Sequence, residues 1–159
     1  MDETEDKILK LELRLAQLDR IEGCHKNFIK FVRAMWPDFI AGRHHKIIAE
    51  KLERVASGEL KRLIVNMPPR HTKSEFASYL FPAWMIGKNP EMKIIQATHT
   101  TELAVGFGRK VKNLLERDEY QEIFSESRLA ADSKASGRWD TARGGMYYAV
   151  GVGSNLAGR

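Results

Sequence analysis

The stretch NMPPRHTKSEF, residues 66–76, sets Arg70, His71 and Lys73 side by side just ahead of a run suited to a helix. Cationic groups so close repel one another unless an anion lies among them. A triphosphate is the simplest such anion. Arg70 offers a planar fork to phosphate oxygens and Lys73 a point charge, so the two make complementary parts of one clamp.

The order of residues bears on the same chemistry. A GxxxxGK[ST] loop follows a buried strand and opens a helix, so that backbone N–H groups and the positive helix end converge on phosphate. Its lysine reaches the β/γ-phosphates of ATP and its hydroxyl holds Mg²⁺. Laid over this chain, the pattern puts Met67 and Thr72 at the glycine positions, Lys73 at the lysine and Ser74 at the hydroxyl. Glycine serves there because the loop needs unusual dihedrals and close approach of backbone to phosphate. A β-branched Thr72 is strained if its φ is positive; with negative φ the loop can still present its amides. The competing structural reading is a strand-to-helix turn stiffened by Pro68 and Pro69, with Lys73 in solvent.

The elements around the loop follow from pattern. Ile8, Leu11, Leu15 and Leu18 repeat on one helix face and predict a first helix over 4–21, docked on its own domain. A second helix carries Phe28, Phe31, Val32, Met35 and Trp36 and must stop at Pro37. A third starts after Gly42 and ends at Ser57-Gly58. RLIVN (62–66) and MKIIQAT (92–98) read as strands buried on both faces. Residues 73–86 read as a helix that Pro82 kinks or ends, and the segment from Thr101 as another helix with Leu103, Phe107, Val111 and Leu114 inward. Strand, helix, strand, helix implies right-handed crossovers and a parallel sheet with flanking helices. RWDTARGGMYYAVGVG (138–153) reads as a β-hairpin turning at Gly144-Gly145. The expected fold class is therefore α/β, a partial P-loop NTPase fold with a mostly parallel sheet. The expected division is a helical segment over 1–58 and an incomplete ATPase core over 59–159.

The totals exclude some classes. The chain has 159 residues, 43% of them hydrophobic, which suits one ordinary domain with a real core. A net charge of +5 permits an anionic partner such as nucleic acid. One cysteine, Cys24, excludes an internal disulfide and a Cys-based zinc cluster. MDETEDKILK lacks the character of a secretory signal, and no apolar run approaches a bilayer span, so no membrane association is expected.

MPPRHTKSE after LIVN resembles the deviant phosphate-binding loop of the phage large terminases, the ATP-driven DNA-packaging motors. The upstream GRHHKIIAEKLERVASGELKRLIVN, the downstream KIIQATHTTELAVGFGRKVKNLLE and the final WDTARGGMYYAVGVGSNLAGR resemble that family in the same order. The resemblance spans residues 25–159, and the family usually has Gly where this chain has Thr72. It implies ATP and Mg²⁺ as cofactors held by Pro69, Arg70, His71, Thr72, Lys73, Ser74 and Glu75. In that reading Lys73 stabilises charge on the β/γ-phosphates, Ser74 binds Mg²⁺, and Arg70 braces the γ-phosphate. An arginine acting on a neighbouring subunit's nucleotide is sought among Arg138, Arg143 and Arg159, with the family pattern leaning to Arg159. His44 and His45 resemble residues near the adenine pocket. His99 follows the second strand, where a parallel sheet presents its ligand edge.

The resemblance further implies double-stranded DNA, a portal protein and a small terminase subunit as partners. It also implies a homo-oligomeric ring, usually a pentamer, and action in the host cytoplasm at the procapsid portal. Neither the acidic strand that orients the attacking water nor a nuclease domain follows before Arg159. The chain is thus expected to be the N-terminal part of a terminase, binding ATP weakly and hydrolysing it negligibly alone. A helicase-like P-loop ATPase and a non-catalytic DNA- or portal-binding module are the alternatives.

Overall fold

The computed structural model describes residues 3–133 and 135–153. Three helices come first: α1 (Glu3–Lys26), α2 (Phe28–Met35) and α3 (Arg43–Ala56). Asn27 caps α2, its side chain accepting from the Lys30 amide, and the helix stops before Pro37 as the sequence requires. Gly58, at φ 79°, takes the left-handed turn that ends α3.

α1 is longer than its periodicity predicted, and it does not dock along its length. Its amphipathic face stays open, with Leu11 70% and Leu15 60% exposed. Only the far end engages the core, where Cys24 is buried and its carbonyl accepts from the indole N–H of Trp84 at 2.8 Å.

The helix after the 67–72 loop starts at Lys73, widens into a π-helical stretch over Glu75–Leu80 and continues as α4 (Phe81–Lys88). In the wide turn the Phe81 amide donates to Phe76 O, five residues back. Pro82 sits just beyond it. A proline lacks the N–H and crowds the carbonyl four residues earlier, and the wider turn makes room for its ring without breaking the helix. The helix therefore does not end at Pro82; its pitch changes in the turn before it.

The sheet has three strands, β1 (Lys93–Thr98), β2 (Arg138–Asp140) and β3 (Met146–Gly151), in the order β1-β3-β2. β1 and β3 run parallel, joined through α5 (Thr101–Leu115) and α6 (Asp118–Ile123). β2 and β3 form the expected hairpin, antiparallel with Trp139 opposite Tyr147, and Gly144 supplies φ 86° in its turn. The fold is mixed α/β, and its sheet is mixed rather than mostly parallel.

Two expectations about strands are corrected. Residues 62–66 form no ladder with any described segment. They take no regular secondary structure, with Leu63 and Val65 half-buried and Ile64 86% exposed; a strand ladder requires a neighbour, and none of the described strands pairs with them. β1 is likewise not buried on both faces: exposed and half-buried residues alternate along it, and Ile95 is 60% exposed.

The inward face of α5 also differs from the prediction. Ala104, Gly108, Val111, Leu114 and Leu115 are buried, whereas Leu103 is exposed. Small residues face the sheet because the helix crosses close to it: a Cβ on Gly108 would lie 2.5 Å from Ser136 O. The core otherwise centres on aromatic rings from α2, the π-helical stretch, α4 and α6, among them Phe28, Phe31, Phe76, Trp84, Tyr120 and Phe124. No helix among the described residues is long and apolar enough to cross a membrane.

Candidate functional site

Residues Pro68 to Glu75 line a single open hollow of about 540 Å³ where the chain passes into the helix that starts at Lys73. A contiguous loop encloses it, so Pro69, Arg70, His71, Thr72, Lys73, Ser74 and Glu75 all face one space. Arg70, His71, Lys73 and Ser74 are exposed there. Among the described residues neither Arg70 nor Lys73 joins an ion pair. The Lys73 ammonium instead reaches back to Met67 O at 3.4 Å, a long contact that a phosphate oxygen can displace.

The backbone of the loop is unusual. Arg70 has φ 63° and Thr72 φ 60°, the only non-glycine residues with positive φ among those described. Thr72 therefore adopts the left-handed conformation that glycine ordinarily serves, and it does so at the second glycine position of the phosphate-loop pattern. The cost for a β-branched residue is on the order of 1–3 kcal/mol, which surrounding contacts must offset.

His45 makes one of those contacts. It is the third residue of α3 and only 7% exposed, held between the rings of Phe39 and Phe76. The Gly42 amide donates to its Nδ1 at 2.9 Å. A backbone amide can only donate, so Nδ1 is the acceptor and the proton of the neutral ring sits on Nε2. Nε2–H then donates to Thr72 Oγ1 at 2.7 Å, and the Thr72 hydroxyl donates to His71 O at 2.6 Å. His44 packs on His45 with ring centroids 3.8 Å apart, so the adjacent pair shares one side of the loop instead of diverging.

The other histidines do less. His71 Nδ1 lies 2.9 Å from Pro69 O, the local hydrogen bond of a loop histidine. His99 falls between β1 and α5 and is exposed. Among the described residues no three His, Cys, Asp or Glu side chains gather as metal ligands. Ser74 fits the one protein oxygen that a Mg²⁺ bound largely through water and phosphate oxygens takes. Glu75 is drawn away to Lys110 Nζ at 3.0 Å. Of the candidate arginines, Arg143 is paired with Glu126, Arg138 is exposed on β2 opposite Tyr148, and Arg159 lies outside the described residues.

Burial, then the nearby His44 and His71, holds the His45 imidazole below the ordinary histidine value of 6.5. The native state thus prefers His45 neutral, while the unfolded chain takes up the proton near the ordinary value. The sign follows: stability is complete above about pH 6.5 and falls as acid is added, because the unfolded state binds more protons. Denaturant unfolding at about pH 7.5 and about pH 5.5 should show this loss, and His45→Asn should reduce it. An unchanged pH dependence in the variant would assign the loss to other groups.

No family model, no curated protein and no solved structure matches this chain.

Proposed function

We propose that the 67–74 loop binds the phosphates of ATP with Mg²⁺, and that the chain belongs to an ATP-driven DNA-packaging motor of the large terminase type. The observation that carries this reading is the loop hollow: three basic side chains, none of them paired with a carboxylate among the described residues, around a helix start with glycine-like backbone at Thr72. The hollow is of ligand-binding size. In this reading residues 62–66, which pair with none of the described strands, are the segment that leads into the phosphate loop of a partial P-loop fold.

Each residue then has a defined task. Loop amides and the helix start attract the phosphates. Lys73 leaves Met67 O for the β/γ-phosphate oxygens, and Arg70 braces the terminal phosphate. Ser74 would hold Mg²⁺, which would supply positive charge to the phosphates. Double-stranded DNA suits the net charge of +5. A portal protein, a small terminase subunit and further copies in a ring complete the assembly proposed for the host cytoplasm.

Calorimetric titration of the full chain tests the reading. ATP with Mg²⁺ is expected to bind at least about tenfold more tightly than AMP, since the contacts are to phosphates. Ser74→Ala should weaken Mg²⁺-ATP and leave Mg²⁺-free ATP unaffected. Equal affinity for AMP and ATP would place the ligand elsewhere.

A further inference from the structure

The left-handed Thr72 and the buried His45 are joined by one hydrogen bond across 27 positions of sequence. We propose that His45 is a positioning residue for the phosphate loop, its Nε2–H holding Thr72 in the backbone conformation that a glycine would adopt unaided. The inference rests on the ATP-binding reading for its functional consequence, but the clamp itself is a property of the protein alone.

Each link in the chain has a fixed direction. Gly42 N–H donates to Nδ1, which sets the tautomer and caps the start of α3. Nε2–H donates to Thr72 Oγ1, and that oxygen spends its own proton on His71 O. The threonine hydroxyl is thereby tied on both sides. The ring holding it cannot swing, because Phe39 and Phe76 pack against it at centroid distances of 4.8 and 5.2 Å. Threonine in place of glycine thus costs strain but gains a handle, and His45 grips that handle. A glycine at position 72 offers no hydroxyl and needs none.

The substitutions separate the two bonds of the imidazole. His45→Asn puts an acceptor near the Nδ1 position, keeping the Gly42 bond while losing the reach to Thr72. His45→Gln extends a donor towards Thr72 and sacrifices the Gly42 bond. Calorimetric titration with Mg²⁺-ATP should show His45→Asn weaker by roughly fivefold or more, the worth of one buried hydrogen bond. His45→Gln should recover most of that loss. In the Thr72→Gly background, His45→Asn should change affinity less than about twofold, because glycine no longer needs holding. Equal losses from His45→Asn in the two backgrounds would overturn the proposal.

Denaturant unfolding of wild type, His45→Asn, Thr72→Gly and the double variant reads the same coupling without nucleotide. A non-additive cycle supports the clamp even if Mg²⁺-ATP fails to bind, in which case the ATP reading alone falls. An additive cycle removes the clamp even if Mg²⁺-ATP binds well.

Discussion

Lys73→Ala is expected to weaken Mg²⁺-ATP binding about 10- to 100-fold, the usual effect of losing a charge-assisted contact to phosphate. The thermal unfolding midpoint should stay where it is. Lys73 is exposed, and among the described residues its side chain makes one hydrogen bond, the long one to Met67 O, so the native state loses almost nothing with the side chain. A binding defect without a stability defect separates a ligand contact from a structural one.

General electrostatics must be separated from local contact as well, because removing any lysine lowers the positive charge that attracts ATP. Lys10→Ala supplies the control. That lysine lies on the exposed flank of α1, paired with Asp6 at 2.6 Å, and its loss changes the net charge by the same amount. It is expected to change affinity less than about twofold, since exposed charges beyond a Debye length of about 8 Å are screened at physiological salt. Equal losses from Lys10→Ala and Lys73→Ala would mean that the loop is not the phosphate site. Unchanged affinity in Lys73→Ala would mean the same.

How far the sequence disclosed this molecule depends on the range of each signal. Pro37, Gly42, Gly58 and the Gly144-Gly145 pair act on their immediate neighbours, and the elements they bound were readable. Residues 62–66 have strand composition but form no strand, because a ladder depends on a partner distant in sequence. On α5 the expectation holds for Val111 and Leu114, which are buried, and fails for Leu103 and the half-buried Phe107, because size alone does not put an apolar residue inside. Close approach to the sheet selects Ala104 and Gly108 instead, leaving Leu103 outside. On α1 the apolar spacing identified a helix correctly and said nothing about what, if anything, covers it.

The loop itself was legible because its residues are consecutive. Any turn compact enough to link strand-like backbone to a helix brings Arg70 to Ser74 around one space. Its conformation was not legible. Threonine is a poor predictor of positive φ, and the side chain that makes it tenable, His45, belongs to another helix. His45 is singled out in the sequence only by the resemblance near an adenine pocket; nothing in its type or spacing points to a bond with a loop 27 positions on.

Phe28→Ala is expected to have the largest effect on stability, about 3–5 kcal/mol, against a total of roughly 5–15 kcal/mol for a domain. Phe28 is fully buried at the point where three helical segments meet. Its ring lies 5.4 Å from Phe76, 5.7 Å from Phe81 and 5.4 Å from Trp84, with edge-to-face or tilted geometry at each. Its amide also donates to Glu53 Oε1 at 2.7 Å, tying α2 to α3. Phe76 follows Lys73 and Ser74 on the same helix and packs against His45. Loss of the Phe28 ring therefore loosens both the seat of the loop helix and the wall behind the histidine. Urea unfolding should report the destabilisation, and Phe28→Leu, which fills most of the space, should lose much less. Where the alanine variant stays folded at low temperature, its Mg²⁺-ATP affinity should fall as well, although no ligand contact has been touched. Stability within about 1 kcal/mol of wild type would show that the aromatic cluster does not support the loop.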